Sequence, residues 1–119
     1  MTRIAPEIFR KRLLIEGYFA RALLDADGIR AYFTLITARL GLRTYGDPIV
    51  HATSGQGKAA NEGYDAFVPL IDSGIYVCVW SARRFASVIL YTCAEFDTAV
   101  AITATRDFFE LTAWETASF

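Results

Sequence analysis

Between Asp72 and Cys93 the sequence carries the side-chain alternation of a β-hairpin, and this constrains the rest of the chain more than any other stretch. Ile75, Val77 and Val79 fall on one side of an extended segment while Tyr76, Cys78 and Trp80 fall on the other, the period of two that a strand imposes. Phe85 to Thr92 is rich in β-branched and aromatic residues and supplies the partner strand. The connection Ser81-Ala82-Arg83-Arg84 sets a register in which paired residue numbers sum to about 165. Trp80 then faces Phe85, and Cys93 lies beside Asp72 and Ser73. A serine at a strand start, flanked by an acid and faced by a thiol, is a place for chemistry.

Other elements fall into line around this hairpin. Leu13 to Tyr18 reads as a buried first strand. A helix follows Leu23-Leu24-Asp25-Ala26-Asp27-Gly28, with Asp25 or Asp27 as its N-cap. Ile29, Tyr32, Phe33, Ile36 and Leu40 make its apolar face, and Gly41 ends it. Leu42 to Ala52 holds a second strand, interrupted by the turn-like Gly46-Asp47-Pro48. Thr53 to Gly63 is polar and rich in small residues, a mobile loop; its Gly55-Gln56-Gly57-Lys58 lacks the spacing of a phosphate-binding loop. Tyr64 to Ile71 is a third strand, in which Pro69 implies an edge position or a bulge. After Cys93, Asp97 caps a second helix that buries Val100, Ala101, Ala104 and Phe108. Thr112 to Phe119 either adds a short strand or trails off. Neighbouring strands with only two helices indicate an α+β fold, an antiparallel sheet covered on one face by both helices.

At 119 residues, 54% hydrophobic and 14% aromatic, the chain is expected to fold as one domain spanning 1–119. A net charge of −1 offers no basic field to nucleic acid or to an anionic membrane. No apolar run approaches the roughly 18 residues of a membrane span, and Met1 to Glu7 lacks the apolar region of a secretory signal, so a cytoplasmic location is expected. His51, the only histidine, has no Cys or His partner nearby in sequence, so no metal site is expected. In the hairpin register Cys78 and Cys93 stand roughly 20 Å apart along the strands. An intrachain disulfide needs Cα atoms within about 7 Å, so both are expected as thiols.

The hairpin resembles the core motif of the small prokaryotic S-adenosylmethionine decarboxylases. There an acid-Ser-His tripeptide opens a strand and a cysteine follows the serine by twenty residues; here the interval from Ser73 to Cys93 is 93 − 73 = 20. Ile15-Glu16-Gly17-Tyr18 is similar to the end of that family's first strand, and the likeness runs from Arg12 to Phe109. It implies an α+β sandwich and a homodimer whose active sites lie between protomers. It also implies self-cleavage, in which the serine hydroxyl attacks the preceding carbonyl and elimination leaves an N-terminal pyruvoyl group. That ketone forms a Schiff base with the substrate and serves as the electron sink for decarboxylation in polyamine synthesis.

On this resemblance Ser73 matches the pyruvoyl precursor and Cys93 the catalytic cysteine that donates a proton. Asp72 replaces the usual glutamate. Gly74 stands where the family has histidine, Cys78 stands at the place of the histidine that assists processing, and Asp65 replaces the processing serine. A free thiol titrates near pH 8.5 against about 6.5 for histidine, so Cys78 is the poorer proton carrier near neutrality. The sequence therefore points to a decarboxylase-like protein that is not self-processed. It would bind S-adenosylmethionine or a related amino-acid ligand and act on it, if at all, as a lyase without pyruvoyl, with Asp65 and Asp72 stabilising the sulfonium. An active pyruvoyl decarboxylase, with the cofactor made from Ser73, and a non-catalytic partner of an active homologue are the alternatives.

Overall fold

The computed structural model describes residues 3–53 and 59–119. Six strands form one antiparallel sheet in the order β2-β3-β4-β5-β1-β6. They are β1 Lys11–Phe19, β2 Ile49–Ala52, β3 Gly63–Leu70, β4 Ser73–Trp80, β5 Phe85–Thr92 and β6 Leu111–Ser118. The β4–β5 hairpin has the register read from the sequence: Trp80 pairs with Phe85, Val77 with Val88 and Gly74 with Tyr91. Alternation buries Leu13 and Ile15 of β1, Ile75, Val77 and Val79 of β4, and Val88 and Leu90 of β5. Their core-facing sides meet both helices, α1 (Ala26–Leu40) and α2 (Thr98–Phe109), in a single apolar cluster. Among the described residues no helix covers the opposite face of the sheet.

Both helices are bounded as their sequences require. Asp25 is the N-cap of α1 and accepts a hydrogen bond from the Gly28 N–H at 2.9 Å; Gly41 closes the helix in the left-handed region at φ 66°. Asp97 caps α2 by accepting from the Val100 N–H at 3.1 Å. The buried face of α2 differs from the expected one. Ala101, Ala104, Thr105 and Phe109 are buried, whereas Val100 and Phe108 are only half-buried. The reason is polar. Tyr32 of α1 is fully buried, and its hydroxyl is satisfied by Thr105 Oγ1 at 2.7 Å, which turns the Thr105 stripe inward.

Three further expectations are refined. The second strand is shorter than Leu42–Ala52: only Ile49–Ala52 is strand, and Thr44 makes an isolated bridge to Leu70 ahead of the Gly46-Asp47-Pro48 interruption. Pro69 lies in an interior strand, yet β2 begins its pairing at Ile49↔Phe67, so no ladder donor is needed at Pro69 on that side. Its carbonyl accepts from the Tyr45 N–H at 3.0 Å instead. The C-terminal segment forms a complete edge strand, β6. Of the polar segment Thr53–Gly63, Ala59–Asn61 form a 3-10 turn; its glycine-containing part, 54–58, lies outside the described residues. No helix among the described residues is long and apolar enough to cross a membrane.

Candidate functional site

The five residues singled out by sequence fall into two groups. At the start of the hairpin, Ser73 Oγ accepts a hydrogen bond from the Cys93 backbone N–H at 3.2 Å, with Asp72 immediately before it. Asp72 is the second residue of the tight β3–β4 turn and has φ 54°, a left-handed conformation that Asp tolerates better than most residues. Farther along the strand, Asp65 pairs with Cys78, whose Sγ donates to Asp65 Oδ1 at 3.3 Å. Ser73 and Cys78 are five strand positions apart, about 16 Å. They also differ in parity. Ser73 is in phase with the core-facing Ile75 and Val77, while Cys78 is in phase with Tyr76 on the helix-free side. Within one chain the two groups do not form one site. Both cysteines are free thiols.

The helix-free face is built of cross-strand rows. Leu14, Ile89, Tyr76, Phe67 and Ile49 are successive partners across five strands and make an apolar row, exposed from Ile89 to Ile49. Beside it runs a polar row of Glu115, Glu16, Ser87, Cys78, Asp65 and His51. Here Ser87 Oγ donates to Glu16 Oε2 at 3.0 Å. Among the described residues no group of three or more His, Cys, Asp or Glu is placed to hold a metal ion.

A cleft of about 360 Å³ opens where the apolar row meets the turn that carries Asp72. Its lining includes Asp72, Ser73 and Gly74 together with the rings of Phe67, Tyr76 and Tyr91. A Cβ at Gly74 would lie 2.7 Å from the outer edge of the Phe67 ring, so a side chain there would displace that ring. The ring thus fills the space into which a histidine at position 74 would project. Sequence reading did not single out Phe67, Tyr76 or Tyr91. The hairpin register already puts Tyr76 and Tyr91 on one face, but Phe67 joins them only through the β3–β4 pairing. The Arg12 guanidinium lies over the Tyr91 ring, 5.3 Å from its centroid, which leaves the Phe67 and Tyr76 rings with the Asp72 carboxylate as the lining that suits an organic cation.

Electrostatics at the Asp65–Cys78 pair favour the protonated thiol. Burial pushes the Cys78 thiol up; the Tyr76 hydroxyl opposes this, and the Asp65 carboxylate adds to it by hydrogen bond and by charge. Tyr76 in turn is pushed up to about 12, chiefly by the neighbouring Cys78 thiol. A thiolate at Cys78 is therefore scarce at neutral pH, and its alkylation by iodoacetamide should need alkaline solution. Asp65→Asn removes the repelling charge, so the alkylation curve of Cys78 should move to lower pH. Peptide mass mapping across a pH series measures this, and an unmoved curve would show that burial alone sets the thiol.

An antiparallel six-stranded sheet with two helices on one face defines the fold class as α+β. The same architecture is found in the crystal structure of the adenosylmethionine decarboxylase from Aquifex aeolicus VF5. The two superpose with a TM-score of 0.68 over 94% of this chain and 89% of that one, at 17% sequence identity. The likeness is one of fold. No family model matches the sequence, and no curated protein matches it in sequence.

Proposed function

We propose that this chain binds S-adenosylmethionine, or an amino-acid ligand with a similar sulfonium or ammonium group, and acts on it as a lyase without pyruvoyl. The observation that carries this reading is the lining of the cleft, Asp72 with Phe67, Tyr76 and Tyr91. An aromatic ring attracts a cation over its face by roughly 0.5–2 kcal/mol depending on how far it is desolvated, and the Asp72 carboxylate adds a Coulombic attraction. Tyr91 already has Arg12 over its ring, so Phe67 and Tyr76 are the rings left for a ligand. A volume near 360 Å³ lies within the usual range for small-molecule sites, roughly 300–1,000 Å³. The shared fold with a protein described as an adenosylmethionine decarboxylase supports the ligand class.

Eliminative cleavage of a sulfonium breaks a C–S bond and sends the bonding pair to sulfur, which leaves as a neutral thioether. A proton is lost from the neighbouring carbon, and Asp72 is the carboxylate at hand to take it. The residues around Ser73 do not fit formation of a pyruvoyl group. Position 74 carries no acid or base and its side-chain space holds the Phe67 ring, while Cys78 and Asp65 lie about 16 Å along the strand. A second copy stacked on the helix-free face would cover the apolar row exposed from Ile89 to Ile49.

Intact mass under denaturing conditions is the first test. A single species near 13.2 kDa is expected; two fragments split between Asp72 and Ser73 would overturn the reading and restore a pyruvoyl decarboxylase. Calorimetric titration with S-adenosylmethionine should show binding, weakened about tenfold in Asp72→Asn, the equivalent of about 1.4 kcal/mol. Incubation with the ligand should release a thioether. Absence of binding in the wild-type chain would remove the proposal.

A further inference from the structure

The edge of the sheet at β6 lies apart from the cleft, and its pairing is independent of the ligand reading above. We propose that the free edge of β6 pairs antiparallel with β6 of a second copy, about a twofold axis at Thr116, joining two sheets into one.

The two edges of the sheet differ. β2 is four residues long and follows Pro48, which suits a blunted edge. β6 is eight residues long, exposed from Thr112 onward, and contains no Pro, Lys or Arg. Its one irregularity lies at the Leu111 end, where the register with β1 shifts between Tyr18 and Phe19. From Ala113 to Ser118 the ladder is regular. The Phe119 N–H donates to Arg12 O at 3.2 Å, so alternation turns the odd-numbered backbone groups of this stretch towards β1. The N–H and C=O groups of Trp114, Thr116 and Ser118 therefore point outward, a row of donors and acceptors at strand spacing.

The pattern of side chains makes this edge complementary to itself. A twofold axis perpendicular to the sheet keeps each face on its own side and pairs a residue with one of the same parity. An axis at Glu115 would set two carboxylates opposite each other, which is destabilising. One at Trp114 would draw in the irregular end. An axis at Thr116 avoids both: Thr116 faces Thr116, Glu115 faces Ala117 and Trp114 faces Ser118. Threonine pairs are favourable across strands. A second copy offers this edge already ordered, whereas a disordered peptide would lose conformational freedom on binding.

Thr116→Pro tests the pairing. It removes an outward N–H and spares the odd-numbered donors to β1. Light scattering on the full chain should show the assembly mass halved in Thr116→Pro, with S-adenosylmethionine titration unchanged. Ile89→Lys, on the helix-free face, reports separately on stacking there, so failure of one contact is distinguishable from failure of the other. A monomeric wild type, or a mass unchanged in Thr116→Pro, overturns the proposal. Should the proline variant lose its circular dichroism spectrum, Thr116→Cys decides. Its Cα atoms would stand about 5.5 Å apart across the axis, within disulfide reach. Mild oxidation should then give a covalent pair whose linked peptides both contain position 116, and its absence overturns the proposal.

Discussion

Tyr32→Ala is expected to destabilise the fold by about 3–5 kcal/mol, a large fraction of the roughly 5–15 kcal/mol that holds a typical domain folded. Tyr32 is fully buried between the helices, with its ring 4.8 Å from that of Phe109 and 5.4 Å from that of Phe108. Truncation removes this aromatic packing and strands Thr105 Oγ1 in the core. Burial holds the Tyr32 phenol far above its ordinary pKa, which favours the neutral, hydrogen-bonded form. The hydroxyl part can be isolated. Tyr32→Phe should cost about 1–3 kcal/mol because a buried partner is left unsatisfied, and Thr105→Val added to it should recover part of the loss. Urea denaturation of the four proteins closes the cycle. If the two single changes simply add, the hydrogen bond contributes nothing of its own.

Gly17→Ala should also be damaging, by about 1–3 kcal/mol. A Cβ at Gly17 would lie 2.3 Å from the Ala113 carbonyl oxygen and 2.8 Å from Trp114 Cβ. None of these atoms is the free end of a flexible side chain, so β6 must shift away from β1. Hydrogen exchange should therefore quicken across Leu111–Ser118 more than across the β4–β5 hairpin. Uniform quickening, or none, would show that β1 and β6 accommodate the methyl group together.

Much of this architecture was legible because it rests on local periodicity. The β4–β5 register followed from a four-residue connection and an alternating pattern, and the two helix N-caps from aspartates placed just ahead of apolar faces. What escaped depended on partners distant in sequence. The inward turn of Thr105 is set by a hydroxyl on α1, and the tolerance for Pro69 by where β2 happens to end. For the site, the proximity of Ser73 and Cys93 was evident from the hairpin alone. Phe67 was not, since its place over Gly74 requires the β3 register as well. The separation of Cys78 from Cys93 could be counted along the strands, but which acid Cys78 would meet could not; it meets Asp65.

The position of β1 sets when the sheet can be finished. Its neighbours on both sides, β5 and β6, come from the C-terminal part of the chain: Lys11 pairs with Thr92 and Leu13 with Ser118. On a ribosome, β2 to β5 can form a meander from local contacts, while β1 must wait with Leu13 and Ile15 in water until β5 emerges, and longer for β6. Such distant closures are slow, typically milliseconds to seconds in sheet-rich domains, and unpaired strands are aggregation-prone while they last. β1 is therefore made long before the two strands that hold it, and the yield in cells should respond to translation rate and chaperone supply more than the equilibrium stability would suggest.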